Sequence, residues 1–115
     1  MRLQDQVALI TGSATGIGRA TAIALAEQGA HVVVNFTRSE AEARETTAGI
    51  EALGQRALMI RADISQEREV LDMMGEIDAT FGRLDILVNN AGFTRFVEFH
   101  DLEALSEEIW DRTYA

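Results

Sequence analysis

The sequence contains no cysteine, no lysine and no proline. Without cysteine, neither a disulfide framework nor a thiolate metal site can form. All ten basic residues are arginine, and 19 acidic residues outnumber them to give a formal net charge of -9. This charge argues against nucleic acid as a partner, because phosphate backbones are bound by clustered basic side chains.

Long hydrophobic runs are also missing. No uninterrupted apolar stretch approaches the roughly 20 residues that a membrane-spanning helix needs, and the N-terminus lacks the apolar core of a signal peptide. The two histidines, His31 and His100, lack the spacing of a metal-binding pair. We therefore expect no membrane partner, no metal site and a cytoplasmic location.

Short apolar runs alternate along the chain with segments of helical periodicity. The continuous runs predict buried strands at 6–11, 31–36, 57–60 and 84–88. The periodic segments predict helices at 19–28, 39–53, 65–81 and 102–115, with Ser39 and Ser65 as N-caps. This order predicts an α/β fold, a Rossmann-like doubly wound parallel sheet of four strands in the order 3-2-1-4 with helices on both faces.

A glycine-rich corner, Thr11 to Gly18, joins the first predicted strand to the first helix. Its glycines at 12, 16 and 18 give the pattern G-x-x-x-G-x-G. Glycine lets the backbone turn sharply and approach a ligand, and the N–H groups that open a helix attract anions. The corner is a candidate phosphate cradle, although a tight turn that only joins the two elements is the alternative.

Three other polar segments follow predicted strands, namely 35–38, Asp63 and 89–92. Ligands of doubly wound sheets bind at the carboxyl ends of the strands. We therefore expect these segments to lie at one edge of the sheet with the glycine corner.

The corner Thr11-Gly12-x-x-x-Gly16-Ile17-Gly18, taken with Asn89-Asn90-Ala91-Gly92, resembles the short-chain dehydrogenase/reductase family over essentially the whole chain. Members similar to it include 3-oxoacyl-ACP reductase-like and glucose dehydrogenase-like enzymes. The resemblance implies that the first motif wraps the pyrophosphate of NAD(P) and that the second lies beside the adenosine half. It also implies that Asp63, followed by Ile64, bonds the adenine amino group, although Asp63 could equally cap the next helix.

The end of the second strand predicts which dinucleotide is used. NAD sites place a carboxylate there to bind the ribose 2′-hydroxyl, whereas NADP sites accommodate the 2′-phosphate. This chain has Thr37, Arg38 and Ser39 there, all able to donate hydrogen bonds to phosphate, and no carboxylate before Glu40. We expect NADP(H) to be preferred, with NAD(H) possible. Arg38 could instead be an ordinary solvated arginine. Thr15 argues against a preference for NADP(H), because many NADP-using relatives carry a basic residue at that position.

The expected cofactor-binding residues are therefore Gly12, Ser13, Ala14, Thr15, Gly16, Ile17, Gly18, Thr37, Arg38, Ser39, Asp63, Ile64, Asn90, Ala91 and Gly92.

The resemblance also implies a catalytic serine, a tyrosine and a lysine about one helical turn after it. The chain has one tyrosine, Tyr114, and no lysine, so we expect no catalytic residue within it. Residues 1–115 would then be a single NAD(P)-binding domain, the N-terminal portion of a larger one, and inactive alone. The complete protein would be an oxidoreductase acting on a small-molecule carbonyl or alcohol, and a homo-oligomer, commonly a tetramer. The alternative is a non-catalytic dinucleotide-binding or interaction module.

Overall fold

The computed structural model describes residues 2–90 and the backbone of residues 96 and 97. Its strands are β1 (Val7–Ile10), β2 (His31–Phe36), β3 (Ala57–Arg61), β4 (Ile86–Val88) and β5 (Phe96–Val97). Its helices are α1 (Gly16–Glu27), α2 (Glu40–Ala52) and α3 (Glu67–Phe81). All four predicted strands are present, and the predicted helix at 102–115 lies outside the described residues.

The strands form one sheet in the order β3-β2-β1-β4-β5. β1 to β4 are parallel, and β1 lies at the centre, where Leu9 pairs with both Val33 and Leu87. The predicted doubly wound sheet with strand order 3-2-1-4 is therefore confirmed. The sequence did not predict β5, which pairs antiparallel with β4, because a two-residue strand is too short to show a periodic pattern.

Successive β1 residues enter two separate cores. Val7 and Leu9 pack with α3 on one face of the sheet, whereas Ala8 and Ile10 pack with α1 and α2 on the other. Because strand side chains alternate between faces and both faces are covered, every β1 residue must be apolar. All four are at most 1% exposed, which explains the continuous apolar run.

Two predicted helix starts differ in the structure. α1 begins at Gly16 rather than Arg19, so its first turn includes the last two glycines of the corner. The prediction of Ser65 as an N-cap is wrong, because Gln66 precedes α3 and the Ser65 hydroxyl donates to Asp63 Oδ1 at 2.7 Å. Ser39 does occupy the N-cap position of α2, although its side chain makes no capping hydrogen bond.

Candidate functional site

The loops that follow β1, β2, β3 and β4 meet at the carboxyl edge of the sheet, as expected from their order. The Ser13 N–H donates to the Asn35 carbonyl oxygen at 2.9 Å, which joins the loop after β1 to the end of β2. The Ala62 N–H donates to the Phe36 carbonyl oxygen at 2.9 Å, which joins the loop after β3 to the last residue of β2. Asn90 Nδ2 donates to the Gly12 carbonyl oxygen at 3.4 Å, which joins the fourth loop to the first.

The three glycines of the corner are required for two different steric reasons. Gly12 and Gly16 have φ angles of 62° and 61°, in the left-handed region that favours glycine. A Cβ at Gly18 would collide with the Gly12 carbonyl oxygen and lie 2.9 Å from Asn90 Nδ2. A Cβ at Gly16, by contrast, would meet no heavy atom within 4 Å beyond its chain neighbours, so the space in front of it is open. A bent backbone beside open space at a helix start fits the pyrophosphate of a dinucleotide.

The side chains between these glycines divide into buried and exposed ones. Ser13 is fully buried, and its hydroxyl accepts from the Asn35 N–H at 3.0 Å. Ala14 is also buried, and its carbonyl oxygen accepts from the Thr46 hydroxyl at 2.9 Å. Thr15 is exposed at the N-cap of α1 without a side-chain capping bond, and Ile17 is 76% exposed. Thr15 and Ile17 therefore present side chains to the open edge, whereas Ser13 and Ala14 hold the loop in place.

Asn35, the fifth residue of β2, was expected at this edge of the sheet, but its role as a buried connector between two loops was not predicted. Its Oδ1 accepts from the Gly12 N–H at 3.1 Å, and its Nδ2 donates to the Ala62 carbonyl oxygen at 3.1 Å. One amide thereby links the glycine corner to the loop that carries Asp63. The only sequence signal is a polar residue in an otherwise apolar strand, and its direction cannot be read from that pattern.

The β2–α2 and β3–α3 loops enclose an open pocket of about 470 Å³. Its lining residues are Thr37, Arg38, Arg61, Asp63 and Glu69. The Thr37 hydroxyl is 3.5 Å from the Ala62 carbonyl oxygen, and Arg38 is exposed. The structure thus brings together Thr37, Arg38 and Asp63, which the sequence predicted, with Arg61 and Glu69, which it did not.

Asp63 is held in one orientation by its neighbours. Its Oδ1 accepts from both the Ser65 hydroxyl, at 2.7 Å, and the Ser65 N–H, at 3.0 Å, while its own N–H donates to Glu69 Oε1 at 2.9 Å. The two Ser65 hydrogen bonds lower the pKa of Asp63 below its ordinary value, and the positive charge of Arg38 lowers it further. The prediction that Asp63 caps the next helix is wrong, because Gln66 occupies the N-cap position of α3 without a side-chain cap and Asp63 bonds Ser65, which precedes the helix. The carboxylate lines the pocket, and its contact with adenine stays a prediction.

The remaining predicted residues have different positions. Asn90 lies at the corner, where its N–H donates to Thr11 Oγ1 at 2.9 Å. Ile64 is half-buried and packs against the α3 core, and Ser39 is half-buried at the start of α2. Ala91 and Gly92 lie outside the described residues.

Neither a metal site nor a membrane-spanning segment was found in the part of the chain that the structure describes. Residues 2–90 contain no group of three or more histidine, aspartate or glutamate side chains arranged to hold a metal ion. No helix among those residues is long and apolar enough to cross a membrane.

The family model described as short chain dehydrogenase matches residues 6–115. The Bacillus subtilis (strain 168) short-chain dehydrogenase/reductase homolog YusS is 46% identical over 109 residues, which are 95% of this chain and 100% of YusS. The L-rhamnose 1-dehydrogenase (NAD(P)(+)) of Sphingomonas sp. (strain SKA58) is 38% identical over 112 residues, which are 97% of this chain and 43% of that enzyme.

Solved structures share this fold. A Burkholderia cenocepacia dehydrogenase crystallised with bound NADP superimposes with a TM-score of 0.73 at 33% identity, over 76% of this chain and 34% of that one. The chain thus spans all of YusS but less than half of the L-rhamnose dehydrogenase and of this crystallised dehydrogenase.

Proposed function

The chain belongs to the short-chain dehydrogenase family, and from that premise we propose that it binds the cofactor of an oxidoreductase that prefers NADP(H). The observation that carries the preference is the pocket beyond β2, where Arg38 is exposed and no residue from Asn35 to Ser39 is acidic. A carboxylate at this point would repel a 2′-phosphate, whereas a guanidinium attracts it. The bound NADP in the Burkholderia structure agrees with this preference, and the NAD(P)(+) in the name of the Sphingomonas enzyme keeps NAD(H) possible.

The residues at the edge of the sheet would each hold a different part of the dinucleotide. The open backbone at Gly16 and the start of α1 would receive the pyrophosphate, and Thr15 and Ile17 would lie beside it. Asp63 and Ile64 would contact the adenine, and Asn90, Ala91 and Gly92 would lie beside the adenosine half. Ser13 and Ala14 would act through the backbone positions that they fix. When bound, the nicotinamide ring supplies hydride transfer.

The substrate and the catalytic step lie beyond what these residues provide. We propose a small-molecule carbonyl or alcohol as substrate, a homo-oligomer as the complete protein and the cytoplasm as its location. Residues 1–115 would form one NAD(P)-binding domain within a larger catalytic domain. Because the sequence has no lysine to pair with a catalytic tyrosine, the 115-residue chain alone should bind cofactor without turning over substrate.

Titration calorimetry of the 115-residue chain with NADP⁺ and NAD⁺ tests the proposal. We expect NADP⁺ to bind at least about tenfold more tightly, which corresponds to about 1.4 kcal/mol. Equal or tighter binding of NAD⁺ would overturn the preference, and no binding of either would overturn the cofactor-binding role. Cofactor-dependent oxidation of an alcohol panel by this chain would contradict the predicted inactivity.

A further inference from the structure

Arg61, the last residue of β3, reaches across to the end of β2. It pairs in register with Phe36, so its backbone lies beside the point where β2 enters the next loop. Its Nε–H donates to the Thr37 carbonyl oxygen at 3.0 Å. The guanidinium is therefore tied to the segment that carries Thr37 and Arg38.

Arg61 and Arg38 line the same pocket without neutralisation by direct ion pairs. Both side chains are exposed, and within residues 2–90 neither has a carboxylate oxygen within 4.0 Å of its nitrogens, in contrast to Arg44, which pairs with Glu40 at 2.9 Å. Asp63 and Glu69 line the same pocket, so its formal charges balance, and the two guanidinium groups are the cationic donors that it offers to an anion.

The geometry of the guanidinium allows Arg61 to hold the Thr37 carbonyl oxygen and to donate to an anion at the same time. Nε and the two Nη groups lie in one plane and donate in different directions, so Nε can hold the Thr37 carbonyl while the Nη groups face an anion. A lysine at this position has a single ammonium group on a flexible stem and could not keep both contacts in the same fixed arrangement.

We propose that Arg61 is a second determinant of cofactor choice, which positions the Thr37–Arg38 segment and donates to the 2′-phosphate of NADP(H). This inference rests on the proposed function and extends it, since the sequence pattern assigned the 2′-phosphate only to residues that follow β2. Arg61 comes from the neighbouring strand, and only the parallel pairing of β2 with β3 brings it to the pocket.

The test compares adenosine 2′,5′-bisphosphate with 5′-AMP, two probes that differ only in the 2′-phosphate. Calorimetry would measure both with the unmodified chain and with Arg61→Gln, Arg61→Lys and Arg56→Gln. Arg56→Gln is the matched control, because Arg56 directly precedes the opposite end of β3 and its substitution changes the net charge equally. Circular dichroism would check that each variant is folded.

We expect Arg61→Gln to weaken the bisphosphate about tenfold or more while AMP affinity stays within about twofold. Arg61→Lys should recover only part of the loss, because it restores charge without the planar donor arrangement. Arg56→Gln should leave the ratio of the two affinities unchanged.

The test distinguishes a failure of the proposed NADP(H) preference from a failure of the role proposed for Arg61. If the unmodified chain binds the bisphosphate no more tightly than AMP, the proposed NADP(H) preference fails and the role of Arg61 fails with it. If the unmodified chain prefers the bisphosphate but Arg61→Gln keeps that preference, or loses affinity for both probes equally, only the role of Arg61 is overturned. Full recovery by Arg61→Lys would show that charge alone suffices and would overturn the positioning role.

Discussion

The amide of Asn35 satisfies opposite hydrogen-bonding needs on its two sides. Its oxygen faces the Gly12 N–H, and its nitrogen faces the carbonyl oxygens of Ala62, at 3.1 Å, and Ile60, at 3.5 Å. Since Asn35 is only 2% exposed, water cannot replace these partners readily. The residue therefore determines how far the glycine corner lies from the loop that carries Asp63.

Asn35→Asp should disturb both loops while keeping the side chain's shape. An oxygen would replace the nitrogen that donates to Ala62 and Ile60, and a charge would be buried without a partner of opposite sign. We expect the free energy of unfolding to fall by about 2–4 kcal/mol in urea denaturation and the affinity for AMP to fall as well.

Thr46→Val is the matched control for that change. Its hydroxyl is also fully buried and donates to the same corner, at the Ala14 carbonyl oxygen, but it makes no hydrogen bond to β3 or to the loop after it. It should cost about 1 kcal/mol. Equal effects of the two substitutions would refute the connecting role of Asn35.

Asp63→Asn should change which base the pocket accepts. The asparagine Oδ1 can still accept from Ser65, which turns Nδ2, a donor, toward the base in place of a carboxylate oxygen. The adenine amino group would then meet a donor, whereas the oxygen of hypoxanthine would meet a suitable partner. We expect calorimetry to show AMP binding weakened about tenfold and IMP binding strengthened. If neither affinity changes, Asp63 does not contact the base and only holds Ser65, ahead of α3.

The pH dependence of Asp63 follows from the direction of its pKa shift. The Ser65 hydrogen bonds lower its pKa in the folded state, so its contribution to stability is present above the unfolded-state value of about 3.9. That contribution should be lost as the pH falls through the lowered folded-state value. Urea denaturation between about pH 2 and pH 6 should show Ser65→Ala reducing stability at the upper end of this range and less at the lower end. If the difference in stability between Ser65→Ala and the unmodified chain stays constant over this pH range, the ionisation of Asp63 is not its source.

At the scale of the elements, the start of α1 depends on the absence of a side chain at Gly18. The helix packs so close to the preceding loop that a Cβ would collide with the Gly12 carbonyl oxygen. We expect Gly18→Ala to lower the free energy of unfolding by about 1–3 kcal/mol and to weaken AMP binding, because the loop must move away from α1.

Gly75, in the interior of α3, offers the matched control. A Cβ there would meet no atom within 4 Å outside its own helix, and its φ angle is not positive. Gly75→Ala should raise the free energy of unfolding by about 0.5–1 kcal/mol, because alanine has the higher helix propensity. Thermal unfolding would compare the two variants, and a gain in stability from Gly18→Ala would show that the close approach is absent.

At the scale of the whole molecule, the two ends of the sheet have different roles. At the amino end, buried Asp85 accepts from the Val7 N–H at 2.8 Å and from two Arg83 nitrogens at 2.8 Å each. These contacts join the start of β1 to the segment before β4. They lie about 16 Å from Gly12, at roughly 3.3 Å per strand residue.

Asp85→Asn should therefore lower the stability of the protein without lowering its affinity for AMP. It removes a charge that Arg83 and the Val7 N–H both contact, so we expect the free energy of unfolding to fall by about 1–3 kcal/mol. The affinity of the folded protein for AMP should stay within about twofold, since no residue of the pocket is touched. A large loss of AMP affinity in a variant that is still folded would show that the two ends are coupled.

Much of the fold followed from local patterns. Strands covered on both faces must be apolar at every position, so runs such as Val7 to Ile10 and His31 to Phe36 identified the parallel sheet. Glycines with left-handed φ angles, such as Gly12 and Gly16, marked the turn into α1. The family could be predicted because its motifs lie within short stretches of sequence, whereas the order of strands in the sheet followed from the general topology of doubly wound folds.

The composition of the site could be predicted only in part. Residues that follow a strand, such as Arg38 and Asp63, were found because the carboxyl ends of parallel strands share one edge. Arg61 and Glu69 were missed, since one ends a strand and the other lies within α3, and neither position marks a loop. Ser65 was misassigned because a hydroxyl before a helix can cap it or, as here, bond the carboxylate two residues earlier.

The sequence by itself determined the order of strands and helices, the glycine corner and the absence of an acidic residue between Asn35 and Ser39, because periodicity and residue type act over a few neighbouring positions. Only the tertiary structure decided that Asn35 turns inward, that Ser13 is buried and that Arg61 reaches the loop after β2. These contacts join residues 22 to 27 positions apart. They depend on the pairing of β1, β2 and β3, whose register the hydrophobic pattern specifies poorly because these strands are apolar on both faces.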